Sequence, residues 1–354
     1  MTTREKTKIV NVGGVPIGGG HPIVIESMAN TDTRNVTATV AQIKALQEAG
    51  CEIIRLAIPN EEAATAIKLI KKQISIPLIA DIHFDYRMAL LAVKNGADKL
   101  RINPGNIGDE SRVRQVAEAA KEHKIPIRVG VNGGSLEKGI LAKYGGITPE
   151  GLAESAITHV ELLEKFDFEN IVVSAKASNA TLLIEANKIL AQRLPYPIHI
   201  GLTESGTPYN GAIRSAVGLG VLLNTGIGNT IRVSLSGDPL PEIKAAKEIL
   251  AALELRQFGI KVIACPTCGR TEVNIEKLAK LSLKLEDKLS HITKPLTIAV
   301  MGCAVNGPGE ARDADIGIAC GRGMAVLFKK GEIVRRLEES EMEEVLFKEI
   351  NTMI

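Results

Sequence analysis

Several residue types and patterns are scarce in this chain of 354 residues, and each scarcity argues against a class of protein. Tryptophan is absent and aromatic residues make up only 3%, which leaves no stacking platform for nucleic-acid bases. The formal net charge of +2 is too small to attract nucleic acid or an anionic membrane. Because no apolar run of about eighteen residues occurs, no membrane span is expected either.

Export and disulfide bonding are also not expected. The start, MTTREKTKIV, has no apolar stretch typical of a signal peptide. Five cysteines, an odd number, fit reduced thiols in the cytoplasm better than a disulfide framework. A hydrophobic content of 45% with 24% charged residues is ordinary for a globular protein, and the length allows two domains.

Short apolar segments alternate with amphipathic helical segments along residues 1–255. After a predicted hairpin at 8–22, the chain contains eight such pairs, from IVIESMA to PEIKAAKEILAALEL. This alternation predicts parallel strands with crossover helices, and eight units are the size of a (β/α)₈ TIM-like barrel. A doubly wound open sheet is the alternative, but it usually carries a Gly-rich nucleotide turn where this chain has SMANTDT.

The alternation stops near Leu255, and residues 256–354 mix short strands with helices. We interpret this part as a separate, small α+β domain, since about a hundred residues is an ordinary domain size.

Polar and cationic side chains recur at the predicted carboxyl ends of the barrel strands, where barrel enzymes place their sites. Four arginines and a lysine with few carboxylates are costly to desolvate unless an anion joins them, and guanidinium groups suit phosphate. A small polyanionic substrate, a phosphate or diphosphate, is therefore predicted. For any single arginine, pairing with a helix glutamate is an equal interpretation, and His83 is equally well read as a core histidine. The candidates are Arg55, His83, Arg101, Asn103, Arg128, Asn132, Lys176, Glu204, Arg232 and Ser234.

Three cysteines are concentrated in the second domain. Cys265 and Cys268 lie in ACPTCGRTE, and Cys303 lies in VMGCAVNGPGE, seven residues before Glu310. One interpretation is zinc bound by these three and Cys320, and another is a dithiol redox pair. A third is a [4Fe–4S] cluster on three thiolates, whose fourth iron takes an oxygen ligand or substrate.

The motifs together resemble the bacterial 4-hydroxy-3-methylbut-2-enyl diphosphate synthase family, of the two-domain type without an inserted middle domain. The resemblance covers almost the whole chain. The motifs that carry it are SMANTDTR, ADIHFDYRMAL, KLRINPGNIG, RVGVNGGSLE, VSAKAS, GLTESGTP, IRVSLSGDP, ACPTCGR and GCAVNGPGEA.

This resemblance implies reductive opening and dehydroxylation of methylerythritol cyclodiphosphate in the methylerythritol phosphate route to isoprenoids. It implies a [4Fe–4S] cluster on Cys265, Cys268 and Cys303, with Glu310 as a displaceable fourth ligand. It also implies a reduced flavodoxin or ferredoxin as electron donor and a head-to-tail homodimer. The diphosphate would be held by Arg55, Arg101, Asn103, Arg128, Lys176, Arg232 and Ser234. His83, Asn132 and Glu204 would line the same mouth of the barrel, by which we mean the opening at the carboxyl ends of its strands.

Two departures from the family pattern precede the eighth barrel strand. The family commonly reads EGIGD there, with its glutamate as a proposed proton donor, whereas this chain has Thr225 and Asn229 at the two ends. A threonine is no carboxylic acid near neutral pH. Three outcomes are then open: Glu204 or a water supplies the proton, the step is slowed, or the position naturally tolerates the change.

Two other functions compete with the iron–sulfur enzyme. One is a non-redox barrel transferase acting on a phosphorylated or pterin substrate, with zinc bracing the second domain. The other is a barrel fused to a zinc or cluster module that only binds its ligand. The identity of the bound metal, iron or zinc, distinguishes these hypotheses.

Overall fold

The chain forms two compact units, one ending at Arg256 and one beginning at Gln257. The computed structural model describes residues 3–269, 271, 273–303 and 307–354. Within these ranges, no helix combines the length and apolar character needed to cross a bilayer.

A short hairpin opens the first unit. After a 3₁₀ turn at Thr3–Lys6, strands β1 (Val10–Val12) and β2 (Val15–Ile17) pair antiparallel across Gly13 and Gly14. Both glycines have positive φ, which suits a two-residue hairpin turn. The hairpin's apolar side chains pack on residues from the first half of four barrel strands, Val24, Ile53, Ile79 and Val172. The hairpin therefore closes the amino-terminal end of the barrel, which we call the floor.

Eight parallel strands form the barrel, which confirms the predicted fold class. Neighbouring strands pair in parallel from β9 round to β8, and a bridge between Val173 and Ile198 links β8 back to the residues before β9. The last two strands are shorter than predicted, so Arg232 and Ser234 follow β10 instead of lying on it. The strands are β3 (Val24–Met28), β4 (Ile53–Ala57), β5 (Leu78–Asp81), β6 (Lys99–Ile102), β7 (Ile127–Asn132), β8 (Ile171–Lys176), β9 (His199–Ile200) and β10 (Thr230–Ile231).

The barrel helices begin at residues whose side chains cap free backbone N–H groups. Asn35, Asn60, Asp85, Asp109 and Asn179 each accept a hydrogen bond from the first turn of the following helix. A 3₁₀ turn lies at Gly133–Ser135. The helices are α1 (Val36–Ala49), α2 (Glu61–Lys71), α3 (Tyr86–Lys94), α4 (Glu110–Glu122), α5 (Lys138–Tyr144), α6 (Pro149–Glu164), α7 (Ala180–Arg193), α8 (Pro208–Asn224) and α9 (Leu240–Ala252).

The second unit is a five-stranded mixed sheet in the order β11-β12-β13-β14-β15. The first three strands are parallel and the last two antiparallel. Helices α10 and α12 cover one face, whereas small residues and Phe328 pack on the other. The elements are β11 (Ile260–Ala264), α10 (Ile275–Lys288), β12 (Leu296–Met301), α11 (Gly307–Glu310), β13 (Ile316–Gly321), β14 (Met324–Lys329), β15 (Glu332–Glu338) and α12 (Met342–Asn351).

Candidate active site

The five predicted cations lie together inside the barrel. Arg55, Arg101, Arg128 and Lys176 are on four neighbouring or nearby strands, and each is at most 7% exposed. Arg232 directly follows β10 and is close enough to act electrostatically on Lys176. The expected scarcity of carboxylates is wrong, however. Glu26, Asp81 and Glu242 are buried among these cations.

Glu26 lies at the centre of the barrel with a fully buried side chain. Arg128 donates from Nη1 to both of its oxygens, at 2.7 and 2.9 Å, and Lys99 donates at 3.4 Å. The Nδ1 atom of His199 is 3.7 Å from the same carboxylate. Burial alone would raise the pKa of Glu26, but Arg128 and Lys99 outweigh it and hold that pKa well below its usual range. Glu26 is therefore an anion that neutralises part of the buried positive charge.

Asp81 organises a second group of charges at the end of β5. Arg101 donates to it at 3.1 Å, and the Arg55 Nε atom is 3.8 Å away. Burial opposes ionisation and is the largest single influence, but Arg55, His83 and Arg101 together outweigh it and lower the pKa of Asp81. His83, predicted to be equally a core or a site residue, has a side chain that is 56% exposed with Nε2 3.6 Å from Asp81.

Glu242 holds the third group from the first turn of α9. Arg232 donates to both of its oxygens at 3.3 Å, and the Ser27 hydroxyl and the Leu235 N–H each donate at 3.0 Å. Arg232 is thus fixed at the carboxyl end of β10 by a carboxylate that the sequence interpretation did not include.

Several buried donors face the barrel interior without an acceptor among the residues that the structure describes. These are the guanidinium nitrogens Arg55 Nε, Arg128 Nε and Arg128 Nη2. A buried donor left unpaired costs about 1–3 kcal/mol. An anion with several oxygens would satisfy the guanidinium groups.

The remaining predicted mouth residues lie at strand ends or in the following loops. Asn103 is buried and accepts from the Gly105 N–H at 3.2 Å. With its amide oxygen turned toward Arg101, Asn132 accepts from Nη2 at 3.2 Å. The Ser234 carbonyl accepts from Ser205. Glu204 is exposed in the loop after β9 and has φ of 54°, an uncommon conformation for a residue other than glycine.

A carboxylate–histidine pair, with a buried histidine and a partly exposed carboxylate, lies between two of these loops. Glu137 accepts from His159 Nε2 at 2.5 Å and from the Ser155 hydroxyl at 2.8 Å. The hydrogen bond from His159 lowers the pKa of Glu137 to about 2. A histidine in an amphipathic helical segment is most simply a surface residue, but His159 is buried under the loop that carries Asn103.

Thr225 lies at the opposite end of the barrel from these groups. It ends α8, and its hydroxyl donates to the Leu222 carbonyl at 2.9 Å. The neighbouring Gly226 carbonyl accepts from the Arg4 N–H, in the segment that precedes the hairpin. A carboxylate at position 225 would therefore stand at the floor, so the expected loss of a proton donor at the mouth does not follow from this substitution.

Two of the predicted thiolate ligands follow adjacent parallel strands. Cys265 comes directly after β11, and Cys303 comes two residues after β12. Because these strands are adjacent and parallel, both cysteines lie at the carboxyl ends of the strands, on the same side of the sheet. The Cys265 N–H donates to the Val300 carbonyl at 2.9 Å. Cys268 is exposed, and none of the five cysteines forms a disulfide in the described parts of the chain. The three predicted sulfur ligands, Cys265, Cys268 and Cys303, are therefore all at least partly exposed.

Cys320 and Glu310 lie in different surroundings. Cys320 is fully buried on the sheet face covered by α10 and α12, with its sulfur 3.6 Å from Met342, and burial raises its pKa to about 11. Glu310 is exposed at the end of α11, whose first N–H donates to the Cys303 carbonyl at 2.9 Å. Asn306, which begins the NGPG segment before Glu310, lies outside the described residues. Across the described ranges, no three His, Cys, Asp or Glu side chains converge into a metal site.

The residues that sequence reasoning missed are mainly Glu26, Glu242 and Lys99. Their signal was available, because a charged residue inside an otherwise apolar barrel strand has to face a partner in the interior. Glu26 in VIESM and Lys99 in KLRI are such residues. Glu242 carried no such signal, since a glutamate in the first turn of a helix is ordinary.

Two domain families match the chain. The GcpE TIM-barrel domain matches residues 7–247 and the GcpE protein C-terminal domain matches residues 261–352. A protein of Caldanaerobacter subterraneus subsp. tengcongensis named 4-hydroxy-3-methylbut-2-en-1-yl diphosphate synthase (flavodoxin) is 56% identical over 351 residues, covering 99% of this chain and 98% of its own. A protein of the same name from Clostridium tetani is 56% identical over 350 residues, covering 99% of each.

Solved structures show likeness in the barrel. A dihydropteroate synthase of Yersinia pestis superposes with a TM-score of 0.51 at 12% identity, covering 70% of this chain and 97% of its own. A dihydropteroate synthase of Stenotrophomonas maltophilia gives 0.50 at 17%, covering 70% and 98%. At such low identity the likeness concerns the fold alone.

Proposed function

The chain belongs to the GcpE family, and from this membership and the barrel site we propose that it reductively opens and dehydroxylates 2-C-methyl-D-erythritol 2,4-cyclodiphosphate. It is an oxidoreductase of the 4-hydroxy-3-methylbut-2-en-1-yl diphosphate synthase type, in the methylerythritol phosphate pathway of isoprenoid synthesis. The proposal concerns the substrate, its binding residues and the way in which this chain's groups serve the reaction.

The observation that carries the proposal is the buried positive charge of the barrel. Six basic side chains face three carboxylates, which leaves a formal excess of three positive charges, in a site closed at its floor, when every basic group is protonated. Such an excess is costly without an anion, and a diphosphate supplies both the charge and the acceptor oxygens. The six cations are Arg55, Lys99, Arg101, Arg128, Lys176 and Arg232, and the carboxylates are Glu26, Asp81 and Glu242.

We assign the diphosphate to the cations nearest the carboxyl ends of the barrel strands. Arg55, Arg101 and Arg232 are held by Asp81 and Glu242, so their orientation is set before the substrate arrives. Preorganised cations stabilise the negative charge that develops as the ring oxygen leaves the ring carbon. Asn103, Arg128, Lys176 and Ser234 complete the diphosphate site, and His83 and Asn132 line its rim.

Cys265, Cys268 and Cys303 are the residues that would hold a [4Fe–4S] cluster, with Glu310 as a weaker fourth ligand. Their chemistry fits: three cysteines outside any disulfide are at least partly exposed, whereas Cys320 is buried on the helix-covered sheet face and unsuited to complete a four-cysteine zinc site. Iron–sulfur chemistry is expected for the family, and a bound cluster would supply Lewis acidity and electrons. In this scheme the first unit binds substrate and the second holds the cluster.

Glu204 is our candidate for the proton that accompanies loss of the hydroxyl as water. Its position after β9 is at the same end of the barrel as the cations, and it is exposed and without a cation within ion-pair distance in the described parts of the chain. The Glu204→Gln variant should bind the substrate but turn it over at least about tenfold more slowly, since positioned acids contribute 10²–10⁴-fold.

A reduced flavodoxin is the proposed electron donor, with ferredoxin as the alternative, and the printed names of the relatives support the flavodoxin. The absence of disulfides among the described cysteines supports a reducing, cytoplasmic location.

A head-to-tail homodimer is proposed as the working form. The outer face of α8 carries an exposed apolar stripe of Tyr209, Ile213, Val217 and Val221, spaced four residues apart. Such a stripe on a barrel helix supports an interface. Light scattering should find Val217→Lys predominantly monomeric, whereas Ala216→Lys, on the exposed surface beside the stripe, should keep the mass of the wild type. A wild-type monomer would refute the dimer.

The function is tested by anaerobic turnover of the cyclic diphosphate with dithionite or reduced flavodoxin. The expected protein is brown, contains iron, and forms 4-hydroxy-3-methylbut-2-enyl diphosphate. A colourless protein with stoichiometric zinc would overturn the proposal. Arg232→Met should raise KM at least about tenfold, which corresponds to 1.4 kcal/mol, with iron content unchanged.

A matched cysteine pair tests the ligand assignment. Cys303→Ser should lose iron, the absorption near ~400 nm and activity. Cys320→Ser should keep all three, because its thiol is buried away from the sheet edge. If Cys320→Ser loses iron while Glu310→Ala retains it, Glu310 is not the fourth ligand.

A further inference from the structure

Lys176 differs from the other cations of the barrel in having no partner. It ends β8 with its side chain buried, and it makes neither a hydrogen bond nor an ion pair with any other residue that the structure describes. Each of the other cations reaches a carboxylate within 4.0 Å. Gly201 on the adjacent segment makes room for the amine, since an added Cβ would lie 3.3 Å from Nζ.

The charges that face Lys176 come from five other strands or strand ends. Guanidinium groups predominate, and the nearest carboxylate already binds Arg128 and Lys99. An ammonium group in this place would be desolvated and repelled by like charges. The facing groups are Glu26 on β3, Arg55 on β4, Arg128 on β7, His199 on β9 and Arg232 after β10.

We propose that Lys176 is an uncharged amine in the free enzyme and takes up one proton from solution when the diphosphate binds. The lone pair of Nζ accepts the proton, and no bond of the substrate changes in this step. The proposal rests on the proposed function, because it uses the same diphosphate site.

The energetics of the free site favour the neutral amine. Burial is the largest cause that holds the pKa of Lys176 well below its usual value, and Arg55, Arg128 and Arg232 add to it. A bound anion with two or more negative charges reverses the local field and favours the ammonium form. The pKa of Lys176 is therefore higher in the complex than in the free enzyme. Proton uptake on binding is expected in the pH window between these two pKa values.

The sign of the pH dependence follows from this linkage. The anion binds the protonated enzyme more tightly, so its Kd should rise about tenfold per pH unit within that window. Uncoupled binding would leave Kd flat. Lys99 is the other lysine that burial brings into this range, with a pKa of about 8, and it has to be distinguished by a variant.

Sulfate is a suitable probe, because it carries two charges and no proton that titrates near neutral pH. Sulfate is titrated calorimetrically into the complete, cluster-loaded protein between about pH 7 and pH 9, above the usual imidazole range. Buffers of different ionisation enthalpy give the number of protons exchanged. The wild type should take up close to one proton per sulfate, and Lys99→Met should do the same.

Lys176→Arg keeps a charge that does not titrate, so it should bind sulfate with proton uptake near zero and a flat pH profile. Proton uptake that persists in Lys176→Arg, or that is lost only in Lys99→Met, would overturn the assignment. Sulfate binding without proton uptake in the wild type would overturn this inference but leave the proposed function standing. Absence of sulfate binding would count against the anion site itself.

Discussion

The carboxylate of Glu26 lies at the point where four strands of the barrel bring their ionisable side chains together. Arg128, Lys99 and His199 all face it, and its own solvent access is nil. Replacing a buried ion pair as a whole can be neutral, but removing one partner leaves an uncompensated charge. The stability of the barrel interior therefore depends on this residue more than on any surface ion pair.

Glu26→Ala should lower the free energy of unfolding by about 3–5 kcal/mol, because Arg128 and Lys99 would remain buried without their carboxylate. Urea denaturation followed by circular dichroism measures this loss. Glu169→Ala is the control, since its exposed pair with Lys8 is worth about 0–1 kcal/mol. A loss below about 1 kcal/mol for Glu26→Ala would contradict the role given to this carboxylate.

The same residue gives the direction of the acid dependence. The pKa of Glu26 is lower in the folded than in the unfolded chain, so its contribution to stability is complete above the unfolded pKa of about 4.3. That contribution is lost as pH falls toward the folded pKa. Between about pH 5 and pH 3, Glu26→Gln should therefore lose less stability than the wild type, as measured by urea midpoints.

Glu137 and His159 lie behind the loop that follows β6, and Glu137 belongs to the segment that follows β7. Gly105 packs directly on this pair, since a Cβ there would lie 2.8 Å from Glu137 Oε1 and 3.1 Å from His159 Nε2. Asn103, two residues earlier, bonds to the Gly105 N–H. The position of the loop that carries Asn103 and Gly105 thus depends on the hydrogen bond between His159 and Glu137.

Gly105→Ala should raise KM for the cyclic diphosphate severalfold with a smaller effect on kcat, because the methyl group displaces the loop that carries Asn103. Steady-state kinetics of the loaded enzyme measure both constants. Gly134→Ala is the matched control, since a Cβ at that position of the neighbouring loop meets no atom within 4 Å. Equal kinetics of the two variants would show that this contact does not position the mouth.

Predictability differed between these elements for physical reasons. The longer strands and their helices follow from apolar periodicity and capping residues, which are local properties. The ladders of β9 and β10 stop after two residues because the chain diverges beyond Ile200 and Ile231, a tertiary effect. The arginines were predictable as a set, but their partners were not, because Asp81 and Glu242 are brought to them only by the closed barrel.

At the scale of the whole chain, the two units have separate apolar cores. The hairpin and barrel residues form one, and α10, α12 and the mixed sheet form the other. Residues 1–256 include Arg256, which donates to the Ile23 carbonyl and to Glu52 within the same unit. Independent folding of the first unit is therefore expected.

Residues 1–256 expressed alone should unfold cooperatively and bind inorganic diphosphate with a Kd within about tenfold of that of the full chain, because the buried cations all belong to this unit. Calorimetry measures the affinity, and iron analysis should find none. Arg232→Met in the same segment serves as the control and should weaken binding. Failure of the segment to bind diphosphate while folded would place essential anion contacts in the second unit.

Asn229 shows how the floor of the barrel is fastened. Its amide oxygen accepts from the Ile198 N–H at 3.0 Å, while its amide nitrogen donates to the Arg4 carbonyl at 3.1 Å. An aspartate could make the first bond but could not donate the second. Asn229 therefore ties the amino-terminal segment to the barrel at the floor through a donor that an aspartate lacks. A substitution at position 229 would thus change how the amino-terminal segment is held at the floor and leave the ionisable groups at the carboxyl ends of the strands in place.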